Sequence, residues 1–278
     1  VLEETRSVCP SCLSVIPAKI TTDGSKVYME KSCRLHGSFR ALLWSDLALY
    51  RRALRFSVGG QRPRPQAEAK LGCPLDCGLC PEHGQHTCLA IVEVADSCNL
   101  MCPVCLAGSE STGTWMPTVE ELEEMLRMLL ELEGGPTPIQ FSGGEPTVRG
   151  DLPELVAAAR DLGFKLMEVD TNGVELAKKP GLAKELADAG LGGVYLQFDG
   201  LTPESHLKIR GADLTRIKEK ALENCVKAGL SVTLAMTVVR GVNDDQLWDV
   251  DIQEGFGGEL SALRRPWKIP QAAFQPVG

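Results

Sequence analysis

The sequence predicts an α/β fold in which a parallel sheet follows a small Cys/His metal-binding domain. Three observations predict it. From Leu89 onward, apolar strand-like runs alternate with helix patterns at the pitch of successive βαβ units. Polar signatures follow the ends of these strands, where parallel sheets place their chemistry. Ten of the eleven cysteines precede residue 106, in C-x2-C-like groups that are typical of metal sites rather than of disulfides.

Length, charge and hydropathy limit the function classes. The 278 residues allow one large domain and one small domain, and 44% hydrophobic residues allow a sizeable core. A net charge of −8 argues against a nucleic-acid partner, which needs a basic surface. The sequence shows neither an apolar run of ~18 residues nor a secretory signal, so no transmembrane segment is predicted. The cysteine usage indicates a reducing compartment, so we expect a cytoplasmic protein, either free or peripheral at the membrane.

Three segments are expected along the chain. Residues 1–60 form a zinc-ribbon-like unit with a strand-like run, SKVYMEK, after the turn signal TTDGS. Residues 61–88 combine a linker rich in Gly and Pro with an auxiliary metal segment. Residues 89–278 form the core. Its expected strands are LAIVEV, PIQFSGGEP, FKLMEVDTNG, GVYLQFDG, LSVTLAMTVV and the final AAFQPVG. Its expected helices are TVEELEEMLRMLLELE, DLPELVAAARDLG, GLAKELADAG and DLTRIKEKALENCVKAG.

Local signals support two of these helices. In the first, Thr118 is the expected N-cap, Glu121 completes a capping box and Gly134 lies near the end. In the last, Cys225 is expected to be a buried structural thiol.

Three cysteines follow the first core strand directly. Cys98, Cys102 and Cys105 have a C-x3-C-x2-C spacing. A 4Fe-4S cube needs four ligands, so three thiolates leave one iron open to another molecule. A zinc knuckle with a distant fourth ligand is the alternative, although zinc sites favour C-x2-C pairs. The position after a core strand therefore favours a catalytic iron–sulfur cluster over zinc.

Three further signatures follow later strands. In SGGEP, Gly143 and Gly144 permit a close backbone approach, and Glu145 can offer negative charge to a cation. An ordinary βα turn is the alternative. Asn172 and Asp199 follow the next two strands and are candidates for binding a ribose or the substrate. Turn or helix-cap roles are the alternatives for both.

Two more sets of metal ligands precede the core. The first has the pattern C-x2-C-x20-C-x2-H, which suits tetrahedral zinc with mononuclear iron as the alternative, in a structural role. Its members are Cys9, Cys12, Cys33 and His36. The second offers four thiolates, enough for an auxiliary 4Fe-4S cluster with no open iron. Its members are Cys73, Cys77, Cys80 and Cys88. His83 and His86 lie between them, so a zinc site is the alternative here.

The C-x3-C-x2-C motif together with GGE resembles the radical S-adenosylmethionine (SAM) superfamily. The resemblance implies a partial (β/α)6 barrel and a 4Fe-4S cluster on the three cysteines, with SAM on the open iron. It implies that the GGE motif meets the methionyl ammonium, and that an electron donor such as ferredoxin or flavodoxin reduces the cluster. It also implies cleavage of SAM to a 5′-deoxyadenosyl radical, which abstracts hydrogen from an unactivated carbon. Val104 departs from the aromatic residue that usually precedes the third cysteine.

The order of the cysteine groups over residues 5–245 resembles one branch of that superfamily, the archaeal tetraether lipid synthases and related pterin-methylating proteins. The first type implies carbon–carbon bond formation on lipid alkyl chains, which is our primary expectation. The second implies methylation of a pterin-like heterocycle. Peptide modification and a non-catalytic zinc or iron–sulfur module are further alternatives. A long apolar tunnel would favour a lipid, and a small polar cavity would favour a heterocycle.

Overall fold

The computed structural model describes residues 1–56, 62–70, 79–81, 83–84, 86–105, 108 and 113–246, and the backbone of residues 272–276. The chain divides into two compact units, Val1–His86 and Thr87–Gly278. Each unit has a sheet of its own. The finer division into three segments stays a prediction.

The first unit contains a four-stranded antiparallel sheet with the strand order β1-β2-β3-β4. Its elements are β1 (Glu3–Val8), β2 (Val15–Thr22), β3 (Val27–Cys33), β4 (Gly37–Trp44) and helix α1 (Leu47–Leu54). Alternate residues of β2 are buried, as expected for a strand with one covered face. The buried clusters are small: Ile20, Val27 and Tyr50 form one of them. A unit with so little core depends on other sources of stability.

The second unit contains a six-stranded parallel sheet. Its strands are β5 (Ala90–Ala95), β6 (Ile139–Gly143), β7 (Met167–Thr171), β8 (Gly193–Gln197), β9 (Ser231–Val238) and β10 (Ala272–Pro276). Its α-helices are α2 (Val119–Glu133), α3 (Leu152–Asp161), α4 (Val174–Lys178), α5 (Pro180–Ala189), α6 (Pro203–Arg210) and α7 (Thr215–Ala228). The strands follow one another in sequence order, and every neighbouring pair is parallel. Because right-handed crossovers in one direction place all helices on one side, the other side of the sheet is left for ligands.

Alternating side chains give this sheet two different faces. Phe141, Val169 and Leu196 belong to the large buried core shared with the helices. The residues between them in the strands point to the opposite side, because successive side chains of a strand alternate. We call this side the inner face. It carries Gln140 and Ser142 of β6, Glu168 and Asp170 of β7, and Tyr195 and Gln197 of β8.

The predicted α/β fold with a partial (β/α)6 barrel is confirmed. The six expected core strands and four expected helices are all present, and Cys225 is fully buried. Thr118 and Glu121 form the expected capping box, and Gly134 ends α2 in the left-handed conformation. Among the described residues, no helix has both the length and the apolar character that crossing a membrane requires.

Candidate functional site

A cavity of ≈ 250 Å³ lies at the C-terminal ends of the central strands. All three cysteines of the C-x3-C-x2-C motif line it, as do the three residues of the GGE turn and Asn172. The other lining residues are Leu100, Val104, Ser142, Asp170, Thr171, Tyr195, Gln197, Arg210, Ala235, Met236 and Thr237. The fold therefore brings the sequence-predicted residues of the core to one place, with the exception of Asp199, which does not line the cavity.

The three cysteines lie on the segment between β5 and α2, residues 96–118, which we call the cysteine loop. Buried Arg149 donates hydrogen bonds to Val94 O at 2.8 Å and to Pro117 O at 2.7 Å. The backbone N–H of Asp96 donates to Trp115 O at 3.1 Å, and the Trp115 N–H donates to the Asp96 carboxylate at 3.0 Å. These contacts hold the two ends of the cysteine loop side by side.

A second arginine connects the cysteine loop to the sheet. The Arg210 guanidinium donates to both carboxylate oxygens of Asp199, at 2.6 and 2.9 Å, and to the Thr237 hydroxyl at 2.8 Å. It also donates to Val104 O at 3.0 Å. Asp199 is fully buried beneath this arginine. These contacts favour a positioning role for Asp199, and its predicted role in binding a cofactor stays a prediction.

The glycines of the GGE turn are needed where the turn meets the cysteine loop. Gly143 has φ +123°, and a Cβ on it would lie well under 3.0 Å from Ala95 O. A Cβ on Gly144 would lie equally close to Ser97 O. The backbone N–H groups of Gly144 and Glu145 donate to these same two carbonyls, at 2.6 and 2.9 Å. The close approach predicted from the glycines is thus made, in this structure, to the start of the cysteine loop.

Glu145 is a buried carboxylate that several donors hold in one position. It accepts hydrogen bonds from the backbone N–H and the hydroxyl of Thr147, and from the Thr171 hydroxyl at 2.6 Å. The Asn172 N–H donates to its other oxygen at 2.7 Å. Burial raises the pKa of Glu145, although these hydrogen bonds favour the ionised form. The result is a fixed acidic group in the cavity wall.

Asn172 lies between the GGE turn and the cysteine loop. Its side-chain amide donates to Asn99 Oδ1 at 2.7 Å and lies 3.9 Å from Cys98 Sγ. Its side-chain oxygen accepts from the Val174 N–H at the start of α4, at 2.9 Å. Gly173 is the N-cap of α4, so this contact makes Asn172 a turn former, and the turn alternative is present in the structure beside a position that lines the cavity. Beneath it, the fully buried Lys218 donates to Asn172 O at 2.6 Å, and burial lowers the pKa of this lysine to about 8.

The thiols of the cysteine loop are arranged less compactly than the ligands of the N-terminal set. Cys98 and Cys102 are half-buried and Cys105 is exposed. Burial raises the pKa of the Cys98 and Cys102 thiols. In the part of the chain that the structure describes, these three thiols do not form a group as compact as the N-terminal set does. A zinc ion, which holds its ligands at ~2.3 Å, requires such a compact group.

The N-terminal set has the geometry of a mononuclear site. The ligand atoms of its four members all lie within 4.8 Å of one another. Cys12 Sγ is 3.9 Å from Cys33 Sγ, and His36 Nδ1 is 3.7 Å from Cys9 Sγ and 3.5 Å from Cys33 Sγ. A tetrahedron of thiolates around zinc has edges of ~3.8 Å. The predicted Cys/His metal-binding unit is confirmed, and zinc is the metal that suits its ligands.

Two of the four cysteines of the second ligand set are described. Cys73 and Cys77 lie outside the described residues. Cys80 is buried and Cys88 is exposed. His83 and His86, the residues that kept zinc as an alternative, are described, with the His83 N–H donating to Cys80 O at 2.9 Å. The auxiliary 4Fe-4S cluster stays a prediction.

Sequence reasoning missed the charged residues that support the cavity. The helical spacing of Lys218 could have predicted its burial. It lies four residues after Leu214 and three before Ala221, on the buried side of α7. Arg149 and Arg210 had no such signal, because the carbonyls through which they hold the cysteine loop are distant from them in sequence.

The family comparisons agree with this geometry. Residues 92–251 match the radical SAM superfamily, and residues 1–45 match the HMPTM N-terminal zinc ribbon domain. Among curated proteins, a 7,8-dihydro-6-hydroxymethylpterin dimethyltransferase from Methanocaldococcus jannaschii is 44% identical over 88% of this chain and 49% of its own length. A probable GTP 3′,8-cyclase from Methanothermobacter marburgensis is 33% identical over 57% of this chain and 51% of its own length. The chain thus spans about half the length of these relatives.

Solved structures share the fold at low sequence identity. Native anSMEcpe with bound AdoMet matches with a TM-score of 0.51 and 24% identity, over 68% of this chain and 51% of the other. Streptococcus suis SuiB bound to S-adenosylmethionine matches with a TM-score of 0.52 and 17% identity, over 69% of this chain and 51% of the other. The family match covers more than half of the chain. The chain belongs to the radical SAM superfamily.

Proposed function

We propose that this protein cleaves SAM reductively and directs the resulting radical to a carbon of a pterin-like heterocycle, as a step in its methylation. The observation that carries the proposal is the meeting of the C-x3-C-x2-C cysteines, the GGE turn and Asn172 at one cavity. The non-catalytic alternative gives no reason for this meeting at the C-terminal ends of the strands.

The residues present fit a SAM-binding cluster. Cys98, Cys102 and Cys105 would hold three irons, and all three line the same cavity. When bound, a 4Fe-4S cluster supplies the electron that cleaves SAM to methionine and a 5′-deoxyadenosyl radical, with a small redox protein such as ferredoxin or flavodoxin as the electron source.

The chain's own groups bind and orient around this centre. Glu145 offers a buried negative charge to the ammonium of SAM, with both oxygens held in place by neighbouring donors. Asn172 positions Asn99, inside the cysteine loop, through a 2.7 Å hydrogen bond. Arg149 and Arg210 hold the same loop at its ends and at Val104. These contacts keep the reacting groups in fixed positions before the radical forms.

A pterin-like heterocycle replaces a lipid as the expected substrate. The lipid expectation finds no support among the comparisons, whereas the curated relative that is 44% identical is a pterin dimethyltransferase by name. The inner face supports the same choice: Ser142, Asp170 and Tyr195 line the cavity. Desolvating carboxylates and hydroxyls against an alkyl chain costs free energy, so this wall suits a polar heterocycle.

The cluster assignment is tested with the Cys98→Ala, Cys102→Ala, Cys105→Ala triple variant after anaerobic reconstitution. We expect it to lose about four irons per chain and to make no 5′-deoxyadenosine. Cys225→Ala is the matched control, since Cys225 lies in the core beneath the helices, and it should keep both. Formation of 5′-deoxyadenosine by the triple variant would contradict the proposal.

The substrate assignment is tested by adding 6-hydroxymethyl-7,8-dihydropterin, or a lipid with deuterated terminal methyl groups, to the reduced protein with SAM. We expect the pterin to stimulate 5′-deoxyadenosine formation, because it supplies the hydrogen that the radical abstracts. Deuterium from the lipid in 5′-deoxyadenosine would show that the lipid expectation was right after all.

A further inference from the structure

We propose that Asp170 selects the substrate by accepting hydrogen bonds from two adjacent N–H groups on the edge of a heterocycle, the 2-amino group and the N3–H of a pterin. This inference rests on the proposed function and assigns a specificity-determining residue within the same cavity. Asp170 lies in the middle of the inner face.

Asp170 stands between two polar neighbours on adjacent strands. It pairs in register with Tyr195 of β8. On the other side, the Ser142 hydroxyl of β6 donates to Asp170 Oδ2 at 3.1 Å. All three residues line the cavity. The serine therefore fixes the carboxylate while the carboxylate remains open to the cavity.

The carboxylate has hydrogen-bonding capacity that no described residue uses. Among the described residues, no donor contacts Asp170 Oδ1, and no Lys, Arg or His forms an ion pair with Asp170. The Tyr195 hydroxyl likewise has no hydrogen-bond partner within the described part of the chain. Polar groups half-buried in a cavity wall and left unpaired cost free energy, and a ligand with matching donors removes that cost.

The chemistry of the open group defines the ligand. An ionised carboxylate only accepts, and its two oxygens can accept two parallel N–H bonds in the same plane. The 2-amino-4-oxo edge of a pterin presents two such N–H groups side by side. An alkyl chain presents none, and the 2-oxo analogue of a pterin replaces one donor with an acceptor that the carboxylate would repel.

The test measures ligand affinity directly in the reconstituted, SAM-loaded protein under anaerobic conditions. Wild type, Asp170→Asn and Asp161→Asn are titrated with 6-hydroxymethyl-7,8-dihydropterin and with its 2-oxo analogue, the corresponding dihydrolumazine. Asp161→Asn makes the same chemical change at an exposed position at the end of α3. Iron content and the thermal midpoint of each variant establish that it is folded and loaded.

We expect wild type and Asp161→Asn to prefer the pterin. Asp170→Asn should bind the pterin ~10- to 100-fold more weakly, the loss typical of a charged hydrogen bond. The asparagine amide offers one donor and one acceptor, which match the C2=O and N3–H of the lumazine, so the preference between the two ligands should reverse.

Other outcomes distinguish a wrong assignment of Asp170 from a wrong proposed function. Equal pterin affinities in wild type and Asp170→Asn would overturn the assignment of Asp170 and leave the proposed function standing. Loss of SAM binding in Asp170→Asn with unchanged pterin affinity would overturn the assignment too, by placing Asp170 at the cofactor. A wild-type protein that binds neither heterocycle would contradict the proposed function itself.

Discussion

Asp170 connects substrate recognition to the pH dependence of stability. Burial, followed by the negative charge of Glu145, raises the pKa of Asp170 from 3.8 to about 6. A carboxyl whose pKa is higher in the folded state stabilises the fold fully below its unfolded pKa. That stabilisation is lost as the pH rises through the folded pKa. The window for Asp170 is therefore pH 3.8 to about 6.

We predict that Asp170→Asn removes this pH dependence and stabilises the protein above pH 6. The gap between the two pKa values corresponds to at most roughly 3 kcal/mol in the free energy of unfolding. Urea unfolding of both proteins at pH 5 and at pH 7.5 checks this. The difference between variant and wild type should be larger at pH 7.5, whereas Asp161→Asn should follow wild type at both values. A difference that shrinks with rising pH would show that the sign is wrong.

Gly144 lies so close to the cysteine loop that it has no room for a side chain. A methyl group on it would collide with the backbone oxygen of Ser97, a group that cannot move without shifting the cysteine loop. Gly144→Ala should therefore reduce iron loading and weaken SAM binding by at least ~10-fold. Gly150→Ala is the matched control, because a Cβ at Gly150 meets nothing within 4 Å. Normal iron content and SAM affinity in Gly144→Ala would contradict the role of the close approach.

Residues of the cavity that belong to local motifs could be predicted from the sequence, whereas its charged supporting residues could not. The cysteines, the GGE turn and Asn172 were found because their spacing is local in sequence. Arg210 was not, because its partners, Asp199, Thr237 and Val104, come together only when β8, β9 and the cysteine loop have met. Its importance is a product of the tertiary structure.

Helix α2 depends on the cap at its start. Thr118 accepts a hydrogen bond from the Glu121 N–H at 3.2 Å, and Glu121 accepts one from the Thr118 N–H at 2.8 Å. We predict that Thr118→Ala lowers the free energy of unfolding by ~1 kcal/mol, the usual value of an N-cap. Urea unfolding measures this loss. Thr114→Ala, at an exposed threonine four residues earlier, should change it by less than ~0.5 kcal/mol. Equal losses in both variants would contradict the capping role.

The elements that were predicted from the sequence have periodic apolar residues, and the elements that were missed do not. The strands and helices of the core were predictable because their apolar residues recur with clear periods. Helix α6 was missed because its buried positions are mostly polar: Ser205, His206 and Arg210 accompany Ile209. Their burial is compensated by partners such as Gly200 O, 2.9 Å from His206 Nε2. Strand β1 was missed because EETRSV has no apolar face.

At the scale of the whole molecule, the two units have different sources of stability. The second has a large continuous core, whereas the buried clusters of the first hold only a few residues each. One of those clusters includes the metal ligands Cys9 and Cys33. We therefore expect the bound metal to stabilise the first unit much more than the second.

We predict that Cys12→Ala releases about one metal ion per chain and reduces the hydrogen-exchange protection of β1–β4 by more than ~10-fold. Protection of β5–β9 should stay within about twofold of wild type, because these strands belong to the other core. Ser38→Ala, on β4 and exposed, is the control and should retain the metal. A comparable loss of protection in both sheets would show that the metal stabilises the molecule as a whole.

The closed ends of the cysteine loop have a consequence for how such proteins diversify. Arg149, Asp96 and Trp115 hold the two ends of the cysteine loop together. The positions at which the loop joins β5 and α2 are therefore fixed by these contacts. The stretch after Cys105 can then lengthen, shorten or change composition without disturbing β5 or α2. Relatives can therefore differ in this stretch while the sheet stays the same, and an engineer can exchange the stretch between them as a unit.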